Sequence, residues 1–290
     1  MTLSVLIPTY NYNARALVLS MHEQAKAENI EAEVVVGDDA STAETAWMDE
    51  LAQVEGIRII HAEQHLGRTR ICNLIAREAQ GKWLLFVDAD AVIPDDFSLK
   101  RSIDAGFGAP VVCGGLYHPD VNPNPEGTLR YKYERNADRH RSAEVRSKHP
   151  HRKLSTFNLL VRRDVFMNIR FDERCKEYGY EDTLFGVRLG CDGIPIAHID
   201  NPLMHIGIDS NAEFLAKTET AMKTLRRIYH IMPRDFGLMG AVYKLQRFHL
   251  TWAMRLFYQL FRKPMRANLL SHHPNLFIFK LYKLGYFLSL

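Results

Sequence analysis

Most of the side chains that could do chemistry in this 290-residue chain are carboxylates set just after apolar runs. Asp88-Ala89-Asp90 follows WLLFV. In an extended segment residues i and i+2 point the same way, so both carboxylates would face one pocket. Two such groups repel and lose hydration, and a hard divalent cation relieves both costs. The plain alternative is an acidic turn open to solvent. Asp38 and Asp39 close VVVGDD. There they either complement the dipole of a following helix or offer a carboxylate, which can only accept, to the ring N–H of a uracil. Glu181 and Asp182 follow Gly179-Tyr180 at what reads as a helix start. One carboxylate can serve structure while the other takes a proton from an acceptor hydroxyl; the alternative is a dipole-stabilised helix start. His205 sits in NPLMHIGI between Pro202 and Gly207, which suggest a fixed loop, whereas His198 lies inside an apolar run and reads as structural.

These groups need a scaffold that brings strand ends together. Apolar runs alternate with helical patterns over the first half of the chain, the mark of repeated βα units around a mostly parallel sheet. Strands are expected at 4–8, 33–36, 57–61, 83–87 and 111–116, and helices at 14–27, 42–54 and 67–79. Ligands collect at the carboxyl ends of such strands, where the acidic residues fall. The pattern breaks over 117–153, expected to be a long basic loop with room for one helix, with nine Lys or Arg against three Asp or Glu from Arg130 to Lys153. A mobile lid over donor phosphates, or a contact for a phosphorylated lipid, is the expected role. Strands return at 155–161 and 195–199, with helices at 164–168, 182–189, 212–229 and 243–261.

Six strings in order resemble the successive motifs of family 2 inverting glycosyltransferases with the GT-A fold: LSVLIPTYN, VVVGDDAST, LGRTRICN, GKWLLFVDADAVI, NLLVRRDVF and GYEDTLFG. The resemblance implies an α/β, GT-A-type sheet flanked by helices over residues 1–210; beyond it the helical pattern is expected to make a C-terminal extension over 211–290. It implies that Pro8, Thr9 and Tyr10 line a nucleotide pocket and that Asp39, beside Asp38, pairs with the base. Asp88, beside Ala89, would meet the ribose or a metal-bound water. Asp90 would ligate Mn2+ or Mg2+, with His205 completing the metal shell or touching the diphosphate. Asp182 of the Glu181-Asp182 pair would be the catalytic base. Where relatives carry Arg-Asn before the fourth strand this chain has Cys72-Asn73, so Arg68 or Arg70 is expected to supply that charge to the diphosphate. The expected activity is transfer of a sugar from a UDP-sugar to a glycan or lipid-linked acceptor.

Other classes fit less well. A nucleotidyltransferase would open with a Gly-rich loop, and PTYNYNA has no glycine; a dinucleotide-binding dehydrogenase would need GxGxxG there. A non-catalytic nucleotide-sugar-binding module would not need Asp39, Asp88, Asp90 and Asp182 together. Nucleic acid is not an expected partner, because no recognition motif accompanies the basic segment. The four cysteines form no CxxC pair and the first residues carry no export signal, so a cytoplasmic setting is expected.

Charge is unevenly spread. Residues 241–290 hold eight Lys or Arg and no Asp or Glu, while the remainder holds 29 basic against 34 acidic side chains. From Tyr243 to Arg262, Leu245, Phe248, Trp252, Leu256 and Leu260 form an apolar stripe beside Lys244, Arg247, Arg255 and Arg262. Farther on, Phe277, Phe279, Tyr282, Tyr286 and Phe287 mix with Lys280 and Lys283. Such segments suit the face of an anionic membrane, which makes peripheral attachment on the inner leaflet the expectation; the alternative is that they cover the sheet.

Overall fold

The computed structural model describes every residue except Glu44, Lys176 and Asp235. The first half alternates β1 (Leu3–Thr9), α1 (Arg15–Ala27), β2 (Ala32–Asp38), α2 (Ala46–Leu51), β3 (Ile57–His61), α3 (Arg68–Glu78), β4 (Trp83–Val87), β5 (Ala91–Val92) and α4 (Leu99–Gly106). There follow β6 (Val111–Cys113), β7 (Leu116–Tyr117), α5 (Thr128–Asp138), α6 (Ala143–Ser147), β8 (Asn158–Arg162), α7 (Arg163–Ile169) and α8 (Glu181–Cys191). The chain ends with β9 (Ile196–His198), β10 (Leu203–His205), α9 (Asn211–Ile228), α10 (Leu238–Arg247), α11 (Thr251–Leu269) and α12 (Leu276–Ser289).

Seven strands form one sheet in the order β3-β2-β1-β4-β8-β6-β9. β8 runs antiparallel to both its neighbours, and the remaining pairs are parallel. Strands buried on both faces need apolar side chains at every position, and β1 and β4 are buried throughout. One layer of core lies on the face holding Val5, Ile7, Val34, Val36 and Leu85, with Val18 and Met21 of α1; the other holds Leu6, Val35, Leu84 and Phe86, with Ile75 of α3 and Phe166. This α/β architecture is the one expected from the alternating pattern. The expected strand over 111–116 is two short strands, parted by Gly114-Gly115, and β7 leaves the main sheet to pair with β10.

The chain divides into two compact units. The first comprises Met1–Pro119, Asp138–Lys176 and Glu181–Gly207; the second comprises Asp120–Ala137, Glu177–Tyr180 and Ile208–Leu290. The expected loop over 117–153 is corrected here: it contains α5, α6 and a single 3-10 turn at Pro150–Arg152. Two of its basic residues, Arg146 and Arg130, serve the fold. The buried Arg146 guanidinium donates to the carbonyls of Cys113, Gly114 and Ile199, and Arg130 pairs with Asp209. Cationic side chains held by carbonyls and carboxylates satisfy their donors internally, which periodicity cannot reveal. His198 is also structural: it is buried, bonds Arg146 and the Pro150 carbonyl, and burial depresses its basicity to about 4.

Within the second unit, Leu129, Phe214, Leu215, Tyr258, Met265, Leu269, Phe279 and Tyr282 make a separate core. The expected helix over 243–261 is interrupted between α10 and α11, where His249 takes a positive φ of 56°. The stripe Phe248, Trp252, Leu256 and Leu260 is exposed, at 66%, 65%, 47% and 66%. In α12 the aromatics divide: Phe277 is exposed, whereas Phe279, Tyr282 and Phe287 are buried, so most of that helix packs inward instead of presenting its rings. No helix among the described residues is long and apolar enough to cross a membrane.

Candidate active site

Asp38 and Asp39 stand at the carboxyl end of β2 and Asp88 and Asp90 just beyond that of β4, the two strands that flank β1 in parallel, so chain direction puts them on one edge of the sheet. Pro8 and Thr9 are buried, and the Thr9 hydroxyl donates to the Tyr12 carbonyl at 2.9 Å; they shape the loop after β1. Tyr10 stands out from it, 47% exposed, with its ring 4.3 Å from that of His65. Asn11, at a positive φ of 48°, accepts from the backbone N–H groups of Thr42 and Ala43, tying the loops after β1 and β2 together.

Asp38 and Asp39 are both buried. Asp38 accepts from the Ser41 N–H at 3.0 Å and meets His61 at 2.9 Å. These contacts outweigh its burial and hold its carboxyl below the usual carboxylate range. Asp39 accepts from the N–H groups of Leu66 at 2.6 Å and Gly67 at 2.9 Å, one per oxygen, and pairs with His65 at 3.0 Å. Its carboxylate is therefore an anchor for the loop that delivers Arg68 at the start of α3. Oδ2 meets both Gly67 and His65 while Oδ1 keeps a second lone pair, but only 3% of the side chain is exposed.

The Asp88-Ala89-Asp90 triplet is a turn between β4 and β5, closed by the Ala91 N–H on the Asp88 carbonyl. The expected extended geometry does not occur, and the two carboxylates take different partners. Asp88 pairs with Arg68, whose guanidinium also donates to Glu181 at 3.0 Å and to Thr156 at 3.1 Å. Asp90 meets His205, with Oδ2 to Nε2 at 2.9 Å. Strand pairing explains the meeting: β5 runs antiparallel to β10 with His205 opposite Ala91, and the Ile206 N–H donates to the Asp90 carbonyl. Gly207 completes it. A Cβ there would lie 1.8 Å from Asp90 Oδ2, so only glycine leaves the carboxylate in place.

Among the described residues no three His, Cys, Asp or Glu side chains gather to hold a metal. Asp90 and His205 nonetheless fit as a pair. Adjacent ligands of a six-coordinate cation at about 2.1 Å lie about 3 Å apart, which is their separation, and small divalent cations commonly take one or two protein ligands plus phosphate oxygens and water. Asp88 has Arg68 as its partner instead, so the two carboxylates do not share one neighbour as their spacing suggests.

Glu181 and Asp182 open α8, preceded by Gly179 and Tyr180 at φ of 100° and 70°. A tyrosine in that region costs about 1–3 kcal/mol, a strain characteristic of functional turns. Glu181 is buried and held by Arg68. Burial and then the Glu181 charge push the Asp182 carboxyl up to about 7. The pair is thus split into an anchored carboxylate and one poised to exchange a proton near neutral pH.

The family model of glycosyl transferase family 2 matches residues 4–170, more than half the chain. The chain belongs to that family. Solved structures share its fold: this glycosyltransferase superposes on PcManGT, a mannosyltransferase from Pyrobaculum calidifontis in complex with GDP-Man and Mn2+, with a TM-score of 0.62 at 14% identity, covering 99% of this chain and 84% of that one. TarS of S. aureus gives 0.54 at 20% identity over 79% of this chain, which spans 44% of the TarS chain. TarS 1–349 in complex with UDP gives 0.52 at 18% identity, over 81% and 72% of the two chains. A comparison with curated proteins found no match.

In this family 2 glycosyltransferase the structure brings Arg68, Asp88, Glu181 and Thr156 into one network and Asp90 with His205 into another. It keeps Arg70 apart, paired with Glu173. Sequence reasoning missed His65, one residue before the LGRTRICN string, and Tyr12, whose hydroxyl is made less acidic by burial and by the charge of Asp90. It also missed His118, in the stretch read as loop, and Gly207 as a contact of Asp90. A wider window around the motifs would have found His65; nothing local marks His118.

Proposed function

We propose that this chain transfers a sugar from a nucleoside-diphosphate donor, a UDP-sugar by preference, to an acceptor hydroxyl with inversion at the anomeric carbon. The observation that carries the reading is the division at the start of α8: Arg68 holds Glu181, while Asp182 is pushed up to about 7. A general base works best when its pKa is near the working pH. Asp182 takes the acceptor proton as the hydroxyl oxygen attacks the anomeric carbon, and the bond from that carbon to the diphosphate oxygen breaks. One displacement inverts the centre, and no enzyme nucleophile takes part. Asp90 and His205 would hold a divalent cation, Mn2+ or Mg2+, which when bound neutralises charge on the departing diphosphate. Arg68 follows directly on Leu66 and Gly67, which Asp39 holds, and its positive charge sits beside Asp88 just beyond the end of β4. Tyr10 and His65 offer an exposed pair of rings for the base, with Asp38 and Asp39 fixing the loops behind them.

The fold relatives divide between UDP and GDP-Man as bound nucleotides, so the base is worth measuring directly. Incubation with a panel of UDP- and GDP-sugars, Mn2+ and candidate acceptors, followed by NMR of the product, tests the whole reading. Retention at the anomeric carbon, or no release of nucleoside diphosphate from any donor, would sink it.

The acceptor is a glycan precursor carried by lipid, and the second unit meets the membrane surface. Support comes from the exposed Phe248, Trp252, Leu256 and Leu260, flanked by Arg247, Arg255 and Arg262 with no carboxylate between them. An anionic leaflet rewards each nearby Lys or Arg by about 1 kcal/mol. Flotation of the full chain with anionic vesicles should be strong at low salt and weaker in Trp252→Ser/Leu256→Ser/Leu260→Ser. Equal flotation of the triple variant excludes this surface.

A further inference from the structure

Phe279, Lys283 and Phe287 stand four residues apart along α12, a spacing that puts all three on one face of the helix. Phe279 and Phe287 are buried, so Lys283 occupies the middle of an inward stripe where an apolar residue would be expected. Its ammonium lies 4.6 Å from the centre of the Phe279 ring and 4.9 Å from that of Tyr133 in α5. The faces of two rings attract a cation, but they do not take its three hydrogens as carbonyls or carboxylates would. Among the described residues no carboxylate or carbonyl lies within hydrogen-bond distance of it. Burial, and then the charge of Lys280, pulls its basicity from 10.5 down to about 8, with Glu134 pulling the other way.

Lys283 lines a cavity of about 200 Å3 that lies wholly within the second unit. One wall is apolar and closed to solvent, made by Met222 and Leu225 of α9 and Met239 of α10. Tyr180 and Phe236, both partly buried, line another part. The turn carrying Tyr180 is seated tightly on α9, where a Cβ on Gly179 would lie 2.7 Å from that of Ala221, so this wall is preformed. An apolar cavity of about 150 Å3 takes a benzene ring, so this one holds a body of about six to eight carbons. A wholly apolar occupant would leave the Lys283 charge desolvated and unpaired, and a bare anion would leave the apolar wall uncovered. Ligand pockets combine such a wall with a few polar groups that fix orientation.

We infer that this cavity binds a small amphiphile, with an acidic head such as a phosphate monoester on the Lys283 ammonium and a short apolar body against Met222, Leu225 and Met239. The site uses none of the groups assigned to the nucleotide, the cation or the acceptor proton, and it stands whether or not the transfer reading does. The competing account is that the two rings satisfy Lys283 by themselves and the cavity holds nothing.

The test is calorimetric titration of the full chain with hexyl phosphate, beside inorganic phosphate as the head alone and hexanol as the body alone. NMR of 13C-methyl methionine in the same chain reports whether Met222 and Met239 feel the ligand. Hexyl phosphate should bind at least about tenfold more tightly than either half and should shift both methyls. Lys283→Met, which keeps most of the bulk and loses the charge, should weaken binding by about tenfold or more. Lys280→Gln removes an exposed charge from the same helix and should leave affinity within about twofold. Binding unchanged in Lys283→Met, or weakened as much by Lys280→Gln, overturns the proposal. So does inorganic phosphate that binds as tightly as hexyl phosphate, or failure of hexyl phosphate to bind or to shift the Met222 and Met239 methyls; these last results need no variant to fold. Transfer assays then separate two sources of such a group: competition with the acceptor marks it as part of the acceptor, and a changed rate without competition marks a separate effector. Absence of any sugar transfer sinks the reading given above and leaves this site standing.

Discussion

Asp88 and Asp90 are separated by one residue, yet the fold gives them opposite surroundings. Asp88 is neutralised by a guanidinium that also holds Glu181 and Thr156, an arrangement complete within the protein. Asp90 faces an imidazole whose other nitrogen is already engaged by His118. An arginine cannot release its proton in a protein, so the first arm is fixed, whereas a neutral imidazole can offer a lone pair. The contrast separates two jobs that spacing alone assigns to both carboxylates. One arm fixes Glu181 beside the proton-accepting carboxyl, and the other is open to a cation.

The largest effect is expected on the arginine arm, at the carboxyl that Arg68 leaves unbound. Asp182→Asn should lower kcat by roughly a hundred- to ten-thousand-fold with donor affinity nearly unchanged, because an amide cannot take the proton. Glu181→Gln is the control; if it is the damaging change and Asp182→Asn is silent, the roles are reversed. The pH dependence follows from the same group. Its folded pKa of about 7 stands above the 3.8 of an ordinary Asp, so activity should fall as pH drops through about 7, where the base becomes protonated. For stability the sign is opposite: between those values the folded chain binds the extra proton, so stability declines as pH rises across the window. Asp182→Asn should therefore melt higher than the unaltered chain above pH 7. A melting temperature lowered by that change at pH 8 contradicts the burial argument.

On the imidazole arm, Asp90→Ala should cut activity by roughly a hundred- to a thousand-fold and abolish the response to added Mn2+, in line with the several kcal/mol a cation supplies to a leaving group. Asp88→Asn should leave Mn2+ affinity within a few-fold. If the two changes weaken Mn2+ binding equally, the division between the arms is wrong.

Gly207→Ala disturbs the imidazole arm without removing a ligand. The added methyl falls on the position of Asp90 Oδ2, so the carboxylate must swing from His205. Mn2+ affinity should drop by about 10- to 100-fold, the scale at which neighbours of metal ligands act. Unaltered Mn2+ affinity in this variant shows that the carboxylate position is not what the cation needs.

Sequence and structure part company along the same line. The alternation of strands and helices over the first half and the strand-end position of Asp38, Asp39 and Asp88 follow from local apolar patterns, which β1 and β4 carry almost without interruption. The partner of each carboxylate does not. Arg68 reaches Glu181 across 113 positions, from one helix start to another, and His205 reaches Asp90 across 115 through a strand pairing; no local pattern encodes either. His118 is the extreme case: β7 is two residues long and lies in a stretch whose composition reads as loop. The tail shows a different limit. Periodicity found the stripe from Phe248 to Leu260 but could not say whether it faced a core, and only burial distinguishes exposed Trp252 from buried Tyr258.

The smallest expected effect returns to the arginine arm. Arg68→Lys keeps the positive charge but loses the planar fork that lets one side chain serve Asp88, Glu181 and Thr156 together. A lysine ammonium on a flexible stem can meet one of the carboxylates well and leaves the others to water. The side chains of Arg68 and Asp88 are about a quarter exposed, 26% and 25%, so solvent makes up part of the loss. The cost should be about 1–2 kcal/mol, below that of an unpaired buried charge, and should appear as a melting temperature lowered by a few degrees. Because this arm is separate from Asp90, Mn2+ affinity should stay within twofold. The acid limb of the pH profile is the finer readout. The Glu181 charge helps hold the Asp182 carboxyl up, so a Glu181 less firmly placed should move the midpoint from about 7. A variant that keeps its melting temperature and its pH midpoint but loses Mn2+ binding would show that the two arms are one.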